Sequence, residues 1–264
     1  MTTPAPDKAT IWDTYWHDSR INSTVAESGP AVEAALDAHW RQFFDAMPDN
    51  AEVLDLACGN GAVALIAVQV ARDAGRAFRV HAIDAAAIDP PKFVAKYADL
   101  LRQIDFKPRT MMEALPYPPH SMDAVVSQFG IEYGELNKVA AEIGRVLKPG
   151  GQFAAIAYAA NSGPVVAAAS KMRQSQYLLN NTKIFDVAIA VIQALHNIEK
   201  TPETEGRDTK KYLEKFSQEV EKVMQKFQHA ESDTVAAVIG SLQQIIILRK
   251  QKDIREQIGT VMVM

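Results

Sequence analysis

Apolar positions change their spacing along this chain, and the changes divide it into regions. Trp12, Tyr15 and Trp16, then Val32, Leu36, Trp40, Phe43 and Phe44, recur three and four residues apart, ahead of the break at Met47-Pro48-Asp49-Asn50. That period predicts two N-terminal helices. Order is expected to begin near Ile11, after a mobile tail over residues 1–10 with two prolines and no periodicity. The pattern then shifts to short apolar runs, each followed by a helical one. Val53–Leu56 reads as a strand that stops at Cys58-Gly59-Asn60-Gly61, and Ala62–Ala74 as an alanine-rich helix. Phe78–Ile83 is a second strand, Pro91–Ile104 a helix, and Thr110–Met112 a third short strand. Met122–Ser127 is a fourth strand, Leu136–Leu147 a helix, Lys148-Pro149-Gly150-Gly151 a sharp turn, and Gln152–Tyr158 a fifth strand. Strands that alternate with helices and are apolar throughout need cover on both faces. They predict an α/β, Rossmann-like, doubly wound and mostly parallel sheet, preceded by helices.

Beyond residue 160 the two-residue period disappears. Gly163–Glu199 and Thr209–Ile258 are rich in Ala, Gln, Lys, Glu and Ile, with Leu213, Phe216, Val220, Val223 and Phe227 at helical spacing. The predicted division is a domain over residues 11–160 and an all-helical C-terminal region over residues 161–264. No closing strand hairpin is legible after the fifth strand, and Val261–Met264 is at most a fragment of one. The helical region is a candidate lid or homodimer interface.

Composition narrows the partners. One cysteine, Cys58, cannot form an internal disulfide, and neither a disulfide framework nor a zinc framework can be built. Twenty-eight basic residues against thirty-two acidic ones leave a net charge of −4, without the basic footprint of a nucleic-acid binder. No signal-peptide pattern opens the chain and no apolar run spans a bilayer. The expectation is a cytoplasmic protein acting on a small molecule, with no metal.

The chemistry concentrates around the first strand. Gly59, Gly61 and Ala64 fit the pattern of a tight turn in which bare backbone meets a ligand at a helix N-terminus. An acidic residue, Asp84, closes the next strand, where a carboxylate can accept both ribose hydroxyls. This pattern alone leaves NAD and S-adenosylmethionine open. A short-chain dehydrogenase would need Tyr with Lys four residues later, and none of the seven tyrosines has one.

The wider motif separates the two ligands. Val53-Leu-Asp55-Leu-Ala-Cys-Gly-Asn-Gly61, with an acid four residues before the first glycine, closely resembles the first motif of class I S-adenosylmethionine-dependent methyltransferases. Glu113-Ala-Leu-Pro-Tyr-Pro-Pro-His-Ser-Met-Asp123-Ala-Val-Val-Ser127 resembles the loop and fourth strand of the ubiquinone-methyltransferase-like branch. Arg145-Val-Leu-Lys-Pro-Gly-Gly151-Gln-Phe is similar to its turn into strand five. The resemblance covers residues 50–158.

It implies that Asp55 orients the motif backbone or the cofactor's amino group, that Ala57, Gly59 and Gly61 line its methionine portion, that Asp84 holds the ribose, and that Cys58, Asn60 and Ala85 also belong to the cofactor site. Met112, Glu113 and Ala114 would cover adenine, with Ser127, Gln128 and Phe129 near the sulfonium. Relatives often carry an aspartate at the position of Met111, so an acidic contact to adenine falls to Glu113. For a hydroxyl acceptor, the candidate general bases are Glu132 and Tyr133, with His17 and His120 as outlying ones. Trp12, Tyr15, Trp16 and Arg20 form an aromatic and basic cluster that either closes over the site or packs in the core, and Arg20 is a candidate partner for the cofactor carboxylate. A cofactor-binding or scaffolding protein without turnover is the reading from another class.

Overall fold

The computed structural model describes residues 8–17, 19–23, 29–200, 207–228 and 233–248. The chain divides into two compact units, Met1–Tyr158 and Ala159–Met264. In the first, helices α1 (Lys8–Trp16) and α2 (Pro30–Asp45) precede β1 (Glu52–Leu56), α3 (Ala62–Asp73), β2 (Arg79–Ile83) and β3 (Asp105–Lys107). β4 (Met122–Gln128), α4 (Leu136–Val146) and β5 (Leu147–Ile156) complete it. Helix α2 opens on Pro30, where the missing amide hydrogen has no intrahelical use.

The strands form one sheet in the order β3-β2-β1-β4-β5, with every pair parallel. Its two faces are covered by different helices, and the central strands alternate to serve both. Val53, Ala124 and Val126 join a core with Trp40 and Phe44 of α2 and with Ala64 and Ala67 of α3. Leu54, Leu56 and Val125 join a second core with Val139, Ile143 and Val146 of α4. Asp55 has the parity of Val53 and faces the start of α3; Gln128 has the parity of Val126 and faces α2. The chain reverses its strand order between β1 and β4, and such a switch point opens a crevice at the C-terminal strand ends.

Four local expectations change. Strand β3 is Asp105–Lys107 rather than Thr110–Met112, because its three residues are too short for an alternation to mark them. Pro91–Ile104 is broken into the short helical turns Pro90–Phe93, Ala95–Tyr97 and Ala98–Leu101. The break falls at Val94, which leaves helical geometry (φ −113°, ψ 70°) while its side chain is buried in the core. Lys148–Gly151 does not precede β5 but is absorbed into it: Met122 pairs with Leu147 and Ala124 with Gln152, so the extra residues bulge out. Gly150 takes φ +81° there. Helix α1 begins at Lys8, inside the segment expected to be a tail, while residues 1–7 lie outside the described residues.

The second unit is helical throughout its described residues: α5 (Gly163–Asn181), α6 (Ile184–Lys200), α7 (Arg207–Lys226) and α8 (Thr234–Leu248). Leu178, Ile184, Ile192, Phe216, Val223 and Leu242 supply its core. Gln174, fully buried, accepts the Val235 amide at 3.0 Å in the first turn of α8. No described residue after β5 is in a strand, and Val261–Met264 falls outside the described residues. No single helix among the described residues is long and apolar enough to cross a membrane.

Candidate functional site

A cavity of about 450 Å³ opens at the C-terminal ends of β1, β2 and β4. Its floor is made by the residues with which these strands end. Ala57 and Phe129, just past β1 and β4, hold left-handed backbone angles (φ 53° and 54°) that side-chain-bearing residues rarely adopt. Both line the cavity. The strand ends are packed without slack: a Cβ added to Gly130 would fall 2.5 Å from that of Ala57. Backbone strain of this kind persists only where the surrounding structure over-determines it.

The glycine turn has an unforeseen neighbour. Gly59 takes φ +52°, and a Cβ there would lie within 2.2 Å of the Trp16 indole, which packs flat on its bare backbone. Gly61 (φ +82°) is covered in the same way by the Phe106 ring, 2.8 Å from a built Cβ. Asn60, fully buried, donates its side-chain amide to the main-chain oxygens of Trp16 and Arg20 at 3.0 and 2.8 Å. Gly59 and Asn60 therefore face the N-terminal segment and Gly61 faces Phe106 of β3, while the flanking Ala57, Cys58, Ala62 and Val63 line the cavity. Ala62 and Val63 belong to the first turn of α3, whose amides have no acceptor within the helix.

Among the described residues, the ionisable carboxyl groups that line the cavity are those of Asp55, Asp84 and Glu113, and no basic side chain lines it. Asp55 accepts the Ala64 amide at 3.1 Å, taking the place of a side-chain cap for α3. Burial nevertheless pushes its carboxyl up to about 8, with the Ala64 hydrogen bond opposing and the nearby Asp84 charge adding. Asp84 is raised by burial against the pull of two amide donors, Ala86 at 2.8 Å and Gly59 at 2.7 Å. Glu113 accepts the Glu135 amide at 2.9 Å through Oε1. Its Oε2 is buried with no hydrogen-bond partner among the described residues. Burial, helped by Asp55 and Asp84, also raises the Cys58 thiol, so this cysteine is no nucleophile at neutral pH.

The opposite wall is aromatic. Trp12 packs edge-on against Tyr133 (5.5 Å between centroids) and stacks on Trp16 (6.1 Å). Gln128, at the end of β4, is held by the Trp40 indole N–H at 2.7 Å. Helix α1 is fixed to the rim by Asp13, which accepts the Ala87 amide at 2.7 Å and pairs with Arg109 at 2.5 Å.

Of the residues singled out from the sequence, Asp55, Ala57, Cys58, Asp84, Ala85, Met112, Glu113, Gln128 and Tyr133 come together around the cavity. Gly59, Asn60, Gly61, Ala114, Ser127 and Glu132 do not line it. Ser127 donates to the Leu56 carbonyl oxygen at 3.0 Å inside the sheet, and Glu132 accepts the Tyr158 amide at 3.3 Å. His17 packs on Phe93, and His120 sits exposed beside the Leu147 carbonyl. The Arg20 guanidinium lies over the Tyr15 ring at 4.3 Å. Ile21, Asn22, Ser23 and Thr110 also line the cavity; they follow no periodic element, and nothing in their spacing signals the role.

Residues 53–151 match the family model described as a methyltransferase domain. The ubiquinone/menaquinone biosynthesis C-methyltransferase UbiE of Rickettsia akari is 34% identical over 119 residues, covering 43% of this chain and 48% of the relative. Its counterpart in Rickettsia massiliae is 33% identical over 124 residues, with the same coverage. The chain thus spans about half the length of the curated relatives it matches. A solved structure from Pyrococcus horikoshii OT3 is 25% identical with a TM-score of 0.40, covering 55% of this chain and 63% of that one. Residues 53–151 of this chain are thus similar to a methyltransferase domain and to part of these C-methyltransferases.

Proposed function

We propose that the chain binds S-adenosylmethionine in the cavity of its first unit and transfers the methyl group to a small, uncharged acceptor. The observation that carries this reading is the cavity's acidic lining: Asp55, Asp84 and Glu113 supply its carboxyl groups, and none of the described lining residues is basic. Such a lining suits a cationic donor. The Oε2 atom of Glu113, buried without a partner, suits an exocyclic amino group. Each Asp84 oxygen already accepts one amide and keeps a lone pair for a ribose hydroxyl. The first-turn amides of α3 suit a carboxylate.

The bound cofactor would supply a methyl group already activated on a sulfonium. The protein's part is then orientation and exclusion of water. Trp12, Trp16 and Tyr133 give the acceptor an apolar wall, and Gln128, fixed by Trp40, sits between wall and strand end. An anionic acceptor would meet acidic side chains with no basic residue among the described lining residues. Tyr133 is a poor base, because burial and the Glu132 charge raise its hydroxyl above the ordinary tyrosine value. The Rickettsia relatives are named as C-methyltransferases, and a carbon acceptor is consistent with an uncharged site.

Calorimetry with S-adenosylhomocysteine and with NAD, followed by transfer of labelled methyl to matched neutral and anionic acceptors, tests the proposal. Binding of the first ligand alone and labelling of neutral acceptors are expected. Preference for NAD would defeat the cofactor assignment, and labelling confined to carboxylates or phosphates would defeat the acceptor assignment.

A further inference from the structure

Helix α1 and the described residues after it, 19–23, border the cavity mouth as a strap, and two of its attachments differ in physical character. At its C-terminal end, Asn60 uses its side-chain amide on the carbonyl oxygens of Trp16 and Arg20. That grip comes from a fully buried side chain, is uncharged and is aimed at main chain, so salt screens it little and no strap side chain is needed for it. The Trp16 ring rests against Gly59 at the same end.

The other anchor is Asp13, one helical turn earlier on the strap. It accepts the Ala87 amide and pairs with Arg109, whose side chain is 56% exposed. Arg109 follows β3, and its own amide bonds the Ala86 carbonyl oxygen at 3.2 Å, while the Thr110 amide bonds that of Asp84 at 2.9 Å. The receiving side of this contact is therefore the rim that carries Asp84 and Ala85. Exposed ion pairs are weak and fade with ionic strength.

We infer that Asp13 and Arg109 form a salt-sensitive latch on this strap, that Asn60 is its fixed pivot, and that unlatching opens the Asp84 side of the cavity to ligand exchange. The inference rests on the reading of the cavity as a cofactor site. A latch that only gates passage speeds both entry and exit when loosened and changes affinity little. Trp12 and Trp16 line the cavity, so their fluorescence reports the strap directly.

The test is stopped-flow binding and displacement of S-adenosylhomocysteine in the full chain, for wild type and Arg109→Gln, from about 20 mM to about 500 mM NaCl. Wild-type entry and exit rates are expected to climb with salt toward those of Arg109→Gln, about three- to fivefold faster at low salt, while the variant stays flat. Asn60→Ala is expected to weaken affinity about tenfold or more, independently of salt. Rates that coincide in wild type and Arg109→Gln at every salt concentration would overturn the latch. Hydrogen exchange of the ligand-free protein decides the matter even if no ligand binds, an outcome that would count against the cofactor reading alone. Amides of residues 12–17 are expected to exchange faster in Arg109→Gln, with those of α3 unchanged; equal protection overturns the proposal.

Discussion

Asp55 concentrates the conflict between stability and binding in one side chain. It is 1% exposed, its carboxyl is pushed up to about 8, and its visible partner is a single amide. A carboxyl whose value is raised in the folded state favours folding below its ordinary value near 3.8 and loses that contribution as pH rises through about 8. Asn at this position keeps an acceptor for Ala64 and cannot ionise. Asp55→Asn is therefore expected to be more thermostable than wild type by a margin that grows from about pH 5 to about pH 9, reaching on the order of 1–3 kcal/mol. It should bind S-adenosylhomocysteine less tightly. Melting curves across that range check the first point, and parallel pH profiles for the two proteins would refute it. Asp55 and Asp84 were readable from motif spacing, because a family resemblance marks position. The displacement of the Asp55 carboxyl was not, because it comes from burial in the folded sheet and from the charge of Asp84 brought beside it.

Among the elements, α1 and the glycine turn have to be understood together. A glycine at position 59 reads, in one dimension, as room for a ligand. In the fold that room is taken by Trp16. Gly59→Ala should cost about 1–3 kcal/mol, from the positive φ and from a side chain forced into the indole. Trp16→Ala in the same background should recover the steric part but not the backbone part. Denaturation of the four proteins of this double-mutant cycle measures the coupling. Additive effects would mean that Trp16 does not rest on Gly59 in solution. The broken helix between Pro90 and Leu101 follows the same logic: helical periodicity was present, and the burial of Val94 overrode it.

For the whole molecule, composition averages over two units of different architecture. Every residue that lines the cavity precedes Tyr158, the last residue of the first unit. Residues 1–158 produced alone are expected to bind S-adenosylhomocysteine within about threefold of the full chain, a difference under about 1 kcal/mol. Calorimetry on the two proteins decides; lost binding with the circular dichroism of a folded α/β unit would assign the helical region a part in the site. β5 pairs only with β4 among the described residues, so the helical region does not extend the sheet there.

Local rules determined a good deal of this. Alternating periods dictate a parallel sheet with helices on both faces, because a strand apolar on both sides cannot face water. The run from Val53 to Gly61, with Asp84 after it, dictates a strand, a tight turn and a helix start at the strand ends where the cavity opens, because a tight turn ahead of a helix needs those residue types. Contacts between distant segments were decided only in three dimensions. Asn60 spends its side chain on Trp16 and Arg20, Asp13 reaches Ala87 and Arg109, and Trp40 holds Gln128. Hydrogen bonds and ring contacts of this kind carry no periodicity, since the partners become neighbours only once the sheet has ordered its strands and brought the loops to one edge.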